Sequence, residues 1–145
     1  MTYIMRKAER RDIESLQILM GDLAGHPISR EDMTERLQFV RTSEFDQLFV
    51  CENVGEISGL LGFRIRENLE EQSRFGEISA IDVTSDKRRS GVGRFMMEFA
   101  EKLARDLGCK GMWLVTGFAR EDEAHKFYQQ LGYQITGYRF IKLFG

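Results

Sequence analysis

The segment that most constrains the fold leads from a strand into a helix through a basic, glycine-containing turn. The segment Arg74–Val83 is predicted to be a strand, and the apolar spacing of Arg94–Leu107 predicts an amphipathic helix. Gly91 and Gly93 stand where the turn meets the helix. A sheet with a helix packed on it is therefore the starting point for the whole chain.

This turn has the features of an anion site. The first N–H groups of a helix have no acceptor within the helix, and the helix dipole adds positive potential there. Glycines without Cβ atoms let a ligand approach the backbone, which suits a phosphate or pyrophosphate. An ordinary glycine-rich turn with exposed arginines is the alternative. The sequence contains neither GxxxxGK[ST] nor GxGxxG, which disfavours a P-loop and a Rossmann site. Basic residues surround the turn: Lys87, Arg88, Arg89 and Arg94.

The rest of the chain alternates strand and helix patterns in the order β-α-α-β-β-β-α-β-α-β-β, which predicts an α/β protein with a mixed sheet. The 145 residues contain no repeat or linker, so we expect one domain, 1–145. The predicted elements are Tyr3–Lys7, Asp12–Leu23, a helix capped by Ser29, Leu48–Glu52, Ile57–Arg66, Arg74–Val83, Arg94–Leu107, Met112–Thr116, Glu121–Leu131, Gln134–Thr136 and Arg139–Phe144.

Composition limits the classes of binding partner and the cellular compartment that we expect. A net charge of −2 argues against nucleic acid as the main partner. No apolar run approaches the ~20 residues of a membrane span and the N-terminus lacks a signal-like core, so we expect no membrane and a cytoplasmic protein. Cys51 and Cys109 lack metal-ligand spacing. They predict reduced thiols and no metal site.

Two motifs together resemble the GNAT superfamily of N-acetyltransferases. The first, Arg88-x-x-Gly91-x-Gly93, is similar to its Arg/Gln-x-x-Gly-x-Gly/Ala signature. The second, Ala124-x-x-Phe127-Tyr128-x-x-x-Gly132-Tyr133, is similar to the family's Asn-x-x-Ala-x-x-Phe/Leu-Tyr-x-x-x-Gly-Phe. The resemblance implies the GNAT fold: a mostly antiparallel, twisted sheet with helices on both faces and strands that splay apart at the cofactor.

The resemblance also implies acetyl-CoA as co-substrate and a set of binding residues. In the family, the strand before the loop binds the pantetheine arm and the loop amides bind the pyrophosphate. Two positions depart from the family pattern: Arg89 replaces a frequent Gly, and Glu121 replaces an Asn that often contacts the cofactor. The implied cofactor-binding residues are Ile81, Asp82, Val83, Arg88, Arg89, Ser90, Gly91, Val92, Gly93, Arg94, Glu121 and Tyr128.

Acetyl transfer to an amine by direct attack needs a base for the amine proton and benefits from an acid for the departing thiolate. Tyr128 stands at the family's tyrosine position and is the candidate acid. Glu77, on the strand that ends at Val83, is the candidate base, because the histone-acetylating branch of the family has its glutamate there. Asp82 is the second candidate, and water stays open as a third.

The acceptor is the least constrained part of the prediction. We expect a primary amine of a small molecule or of a protein, and a homodimer stays open. His26 lies between the first two helices, where acceptor pockets form in this family, but a lone loop histidine is weak support. A non-catalytic acyl-CoA-binding sensor or interaction module is the alternative function. Acidic residues in flanking segments favour a cationic acceptor: Glu31, Asp32, Glu35, Glu67, Glu70 and Glu71.

Overall fold

A computed structural model describes residues 2–116 and 121–145. Within these ranges the chain forms five β-strands and four α-helices, with 3₁₀ turns at Arg10–Asp12 and Ser85–Lys87. In chain order the elements are β1 Ile4–Lys7, α1 Ile13–Ala24, α2 Arg30–Thr42, β2 Asp46–Asn53, β3 Glu56–Glu67, β4 Arg74–Val83, α3 Val92–Asp106, β5 Gly111–Leu114 and α4 Glu121–Gln130.

The strands form one sheet in the order β1-β2-β3-β4-β5. The first three pairings are antiparallel, and an irregularity between Gly62 and Phe63 shifts the register of β3 against β4. β4 has ten residues and β5 only four. The amide of Lys110 donates to the Arg74 carbonyl at 2.7 Å, which ties the start of β5 to the start of β4. The second half of β4 therefore extends beyond the reach of β5.

Helices cover both faces of this sheet, as predicted. On one face, α1 and α2 bury an aliphatic core against β2 and β3 that includes Leu16, Met33 and Leu60. On the other face, α3 packs so closely that a Cβ at Gly59 would lie 2.9 Å from Cε of Met96. Both layers exclude water from apolar surface, which is the main stabilising term of such a fold. The predicted fold class is confirmed.

Local signals place most element ends close to their predicted positions. The Ser29 hydroxyl accepts the Asp32 amide at 3.0 Å, so it caps α2 as expected. Gly108 follows α3 with φ +78°, the left-handed conformation that ends many helices. β4 has the predicted bounds, and the other predicted strands and helices up to α4 differ by a few residues at their ends. Cys51 and Cys109 are both free thiols.

The closing pair of strands is the one wrong prediction of secondary structure. Neither Gln134–Thr136 nor Arg139–Phe144 forms a strand, because no neighbouring strand in the described part of the chain bonds to their backbone. The chain divides into two compact units, one ending at Trp113 and the other beginning at Leu114. That residues 1–145 form a single domain stays a prediction. No helix in the described ranges combines the length and apolar character that crossing a membrane requires.

Candidate active site

The N-terminus of α3 presents unsatisfied backbone donors. Gly91 is its N-cap, with φ +92°, and has no side chain to accept the first amides. The first intrahelical bond runs from Phe95 to the Gly91 carbonyl at 3.0 Å, so Val92, Gly93 and Arg94 precede the bonded ladder. The first turn of α3 contains no acidic residue, whereas α1, α2 and α4 all carry one there. This end of α3 therefore suits an anion.

The loop before α3 is held by its own hydrogen bonds. The Thr84 amide donates to the Ser58 carbonyl at 2.9 Å, and the Lys87 amide donates to the Thr84 carbonyl at 2.9 Å. The Ser90 hydroxyl donates to the Lys87 carbonyl. Arg89 has φ +64°, in the left-handed region that favours glycine. The loop thus has a defined shape, and Arg89 adopts a backbone conformation that glycine adopts without strain.

Arg88 joins the end of β4 to α1. Its Nε donates to the Val83 carbonyl at 3.2 Å, and its Nη2 alone serves Asp82 Oδ1 at 3.3 Å and Asp22 Oδ2. Asp22 and Arg88 are 66 residues apart in sequence. We call Arg88, Asp22 and Asp82 the Arg88 cluster. One nitrogen of Arg88 thus serves both carboxylates.

Asp82 is the buried member of the Arg88 cluster, with 5% of its surface exposed. It stands opposite Leu60 in the sheet, on the face that α1 covers. Its Oδ2 atom has no hydrogen-bond partner among the described residues. Burial, followed by the hydrogen bond and charge of Asp22, raises the pKa of Asp82 to about 6, against an opposing effect of Arg88. The two carboxyl groups thus compete for one proton, as closely placed acids do.

A surface cleft of about 580 Å³ adjoins the cluster, because Asp22 is part of its wall. The remaining wall comes from α1 and the segment that leads to α2. His26 belongs to it, is exposed, and has Nδ1 3.0 Å from the Pro27 carbonyl oxygen. The cleft therefore joins an open surface to a carboxylate that touches Arg88. Its lining residues are Gln17, Ile18, Gly21, Asp22, Gly25, His26, Pro27 and Ile28.

Glu77 lies elsewhere on β4 and has a different environment. Its carboxylate accepts from Arg66 at 3.1 Å, and the Arg66 guanidinium lies 4.2 Å above the ring of Trp113. Five positions of strand separate Glu77 from Asp82, which is roughly 15 Å. The structure therefore does not bring the two candidate bases together, and Arg66 already neutralises Glu77.

Four more of the predicted site residues lie in two other parts of the structure. Ile81 and Val83 lie on β4, in register with Leu61 and Gly59. Glu121 and Tyr128 lie on α4, in the second compact unit, where Glu121 begins the helix.

Tyr128 is surrounded by aromatic rings. Its ring centroid is 5.0 Å from that of Phe127 and 5.9 Å from that of Tyr133. Burial raises the pKa of the Tyr128 hydroxyl, so it stays protonated at neutral pH. It is therefore in the form that an acid requires.

Asp22 is the site residue that the sequence analysis missed. It is a polar residue on a surface helix, and nothing in its neighbourhood distinguishes it from other exposed acids. Only the packing of α1 against the sheet brings it to Arg88 and Asp82.

Comparisons with known proteins agree with this architecture. Residues 5–133 match the acetyltransferase (GNAT) family. The aminoalkylphosphonate N-acetyltransferase of Salmonella typhimurium is 32% identical over 88 residues, which is 61% of this chain and 56% of that protein. The match thus spans little more than half the length of that relative.

Solved structures share the fold. A transcriptional regulator from Bacillus halodurans C-125 superposes with a TM-score of 0.89 at 22% identity, covering 99% of this chain and 100% of that one. AAC(6')-Iy, solved in complex with the bisubstrate analogue CoA-S-monomethyl-acetylneamine, gives a TM-score of 0.83 at 18% identity, covering 100% and 99%. At these identities the likeness concerns the fold alone. The match to the family over residues 5–133 establishes that the chain belongs to the acetyltransferase (GNAT) family.

Proposed function

We propose that this chain is an acetyl-CoA-dependent N-acetyltransferase that acts on a primary amine of a small molecule or a protein. The observation that carries the proposal is the open N-terminus of α3, where a side-chain-free cap leaves amides of Val92, Gly93 and Arg94 ahead of the helical ladder. Such donors fit a pyrophosphate, which CoA contains. The described activity of the Salmonella relative and the CoA-based ligand of AAC(6')-Iy support the same donor and reaction.

In the proposed reaction the amine nitrogen forms a bond to the acetyl carbon and the carbon–sulfur bond breaks. The ammonium form cannot attack, so a base must remove a proton first. The departing thiolate takes up a proton from an acid. We assign the acid role to Tyr128, whose partly buried hydroxyl has a raised pKa and is protonated at neutral pH. Amides of the β4 strand near Val83 are candidates to stabilise the oxyanion.

Glu77 and Asp82 remain the two candidate bases, and their surroundings favour Asp82. A base works best when it is mostly ionised at the working pH but still binds protons readily. Asp82 meets this condition, because its pKa is raised to about 6 and one of its oxygens has no partner in the described residues. Glu77 is committed to Arg66. Asp82 would act through Asp22 or a water molecule, because it is almost fully buried.

The acceptor proposal is a cationic amine that reaches the cleft beside Asp22. Asp22 is half-exposed and forms part of the cleft wall, so it presents negative charge to an entering ammonium group. Glu31 and Asp32 in the first turn of α2 add to the acidic character of this part of the molecule. Glu71 contributes less, because Lys110 is bonded to it at 3.2 Å. The charge pattern does not distinguish a small molecule from a protein.

The donor site is tested by replacing one glycine at each end of α3. Gly91 and Gly108 have similar φ values of +92° and +78°, and neither has an atom within 4 Å of an added Cβ. Gly91→Val and Gly108→Val should therefore cause similar backbone strain. We expect only Gly91→Val to weaken acetyl-CoA binding, by at least about 100-fold (about 2.7 kcal/mol) in calorimetric titration.

If both variants bind like the unmodified protein, the α3 N-terminus is not the donor site. If both lose binding equally, strain and not the site explains the loss. Circular dichroism of each variant checks that the helix content is retained.

A further inference from the structure

A second surface cleft, of about 430 Å³, lies beside the cleft that contains Asp22. The two clefts share Ile18, whose side chain is largely exposed. Ser15 lines the second cleft and Asp22 lines the first, on either side of Ile18 along α1. Their spacing places all three residues on one face of the helix. The two clefts therefore form one groove along about two turns of α1, roughly 10 Å long, which we call the α1 groove.

The α1 groove runs past the carboxyl end of β4, where acetyl transfer is proposed to occur. Thr84, the residue after β4, lines the second cleft. In the first cleft, Asp22 contacts Arg88, whose Nε donates to the Val83 carbonyl. Both halves of the groove thus adjoin the end of β4. An acceptor whose amine lies at Asp22 has room for a chain that continues over Ile18 into the second cleft.

Most of the charged side chains in the second cleft are already paired. Arg6 is bonded to Asp12 and Glu52, and Arg11 is bonded to a neighbouring glutamate at 2.6 Å. Glu56 also lines this cleft and is exposed, and no ion pair or side-chain hydrogen bond involves it in the described part of the chain. Two guanidinium groups thus stand against four carboxylates, which gives this end of the groove a net charge of −2.

The other end of the α1 groove is negative as well. In the Arg88 cluster, one guanidinium group stands against the carboxylates of Asp22 and Asp82. The Oδ2 atom of Asp82 is buried and has no partner among the residues that the structure describes. Between the two ends, Ile18 and Ile57 make the wall apolar. Acidic ends and an apolar middle are complementary to a molecule with two cationic ends and a hydrocarbon chain between them.

We propose that the α1 groove selects an aliphatic diamine or polyamine, with the reacting amine at Asp22 and a second ammonium group at Glu56. The inference rests on the proposed acetyl transfer and adds the substrate class. The reacting amine gives its proton to the base and forms the bond to the acetyl carbon, while the carbon–sulfur bond breaks. The far ammonium keeps its proton, because a carboxylate beside it favours the charged form. Glu56 thus determines specificity through the end of the substrate that does not react.

A second cation explains more of the groove than a single one does. A monoamine at Asp22 leaves Glu56 without a partner and the wall around Ile18 open to water. A diamine pairs with both acids, and its methylene groups cover the exposed Ile18 side chain. Acetylation removes one of the two positive charges, so the product binds the groove more weakly than the substrate. Monoacetylated product should therefore accumulate before any diacetylated product.

The first test compares acetyl transfer to α,ω-diamines with transfer to monoamines of equal chain length, from propane to decane. The ratio of the two kcat/KM values should rise with chain length. It should reach about 5-fold, the gain of one exposed ion pair, once the diamine spans roughly 10 Å. A ratio near one at every chain length overturns the proposal, whereas transfer to the monoamines would still support the proposed function.

A pair of substitutions tests whether Glu56 is the second contact. Glu56→Gln removes the charge with little change of shape and should lower the diamine-to-monoamine ratio about 5-fold. Glu14→Gln is the matched control, because Glu14 is an exposed acid on α1 that lines neither cleft. It should leave the ratio unchanged. Equal losses in the two variants would mean that overall charge sets the preference, and the proposed contact would be refuted.

A binding measurement separates this inference from acetyl transfer. In an NMR titration of the unmodified protein, diaminooctane should shift the amide signals around Asp22 and around Glu56, whereas octylamine should shift only those around Asp22. Shifts at both ends without any acetylated product would support the groove and contradict the proposed transfer. Acetylated product without a shift at Glu56 would support the transfer and contradict the groove.

Discussion

Arg6 and Arg88 each bridge two carboxylates in this molecule, but the two clusters are bonded differently. In the Arg6 cluster (Arg6, Asp12 and Glu52), three guanidinium nitrogens serve four carboxylate oxygens, with Asp12 bound at 2.7 and 2.8 Å. The Glu9 amide adds a further donor to Asp12 at 2.8 Å. In the Arg88 cluster a single nitrogen serves Asp22 and Asp82, and one Asp82 oxygen lacks a partner among the described residues.

The difference appears in the pKa values of the two buried acids. For Asp12, burial opposes ionisation, but the hydrogen bonds from Arg6 and Glu9 outweigh it and the pKa is lowered. For Asp82, burial and the Asp22 carboxylate outweigh Arg88, and the pKa is raised to about 6. The Arg6 cluster, in which every carboxylate oxygen is bonded, keeps its charges and serves the structure. Asp82 has one oxygen without a partner among the described residues and a pKa of about 6, so it can exchange a proton near neutral pH, which is the property that catalysis needs.

The largest expected effect comes from removing Arg6. Arg6→Met leaves Asp12 and Glu52, which are 4% and 13% exposed, without their cation. We expect the free energy of unfolding in urea to fall by about 3–5 kcal/mol. Arg88→Met should cost less, about 1 kcal/mol, because Asp82 can bind a proton and Asp22 is half-exposed. Equal losses of unfolding free energy in Arg6→Met and Arg88→Met would contradict the proposed difference between the two clusters.

Asp82→Asn should stabilise the fold at neutral pH and have no effect in acid. Because the folded state raises the pKa of Asp82 from 3.8 to about 6, it binds the proton more tightly than the unfolded state does. The stability from this proton is fully present below about pH 4 and is lost as the pH rises to about 6. Asp82→Asn should therefore gain on the order of 2 kcal/mol above that range, measured as urea unfolding across the pH range.

Asp12→Asn serves as the opposite control. Since the fold lowers the pKa of Asp12, its contribution to stability is present above its ordinary value of 3.8 and is lost as the pH falls further. The substitution should therefore destabilise the protein at neutral pH. If Asp12→Asn and Asp82→Asn changed the free energy of unfolding at neutral pH in the same direction, the opposite pKa shifts of the two acids would be contradicted.

The smallest expected effect concerns the strain beside the Arg88 cluster. Arg89 has φ +64°, a conformation that costs a non-glycine residue about 1 kcal/mol. Relief of this strain in Arg89→Gly should by itself raise the free energy of unfolding by up to that amount, and the greater freedom of glycine in the unfolded chain and the loss of the Arg89 side chain both act against it. A thermal shift of a few degrees upward is the expected readout. A clear loss of stability would mean that the Arg89 side chain contributes more than its backbone costs.

Sequence reasoning located the loop and α3 because their signals are local. The apolar spacing of α3 and the glycine at its start depend on residues next to one another, and the same holds for the bounds of β4. The Asp22–Arg88 contact had no such signal, since the two residues are 66 positions apart and meet only after α1 packs on the sheet. The prediction of two C-terminal strands was wrong for a related reason. A strand-like sequence pattern does not indicate which sheet edge will form hydrogen bonds with that segment.

The most direct test of the account is acetyl transfer itself, followed by mass spectrometry of a panel of primary amines incubated with acetyl-CoA. We predict that the unmodified protein acetylates at least one cationic amine, and that Asp82→Asn does so about 10²- to 10⁴-fold more slowly while still binding acetyl-CoA. Bound acetyl-CoA without any acetylated amine would contradict the proposed activity and favour an acyl-CoA-binding sensor.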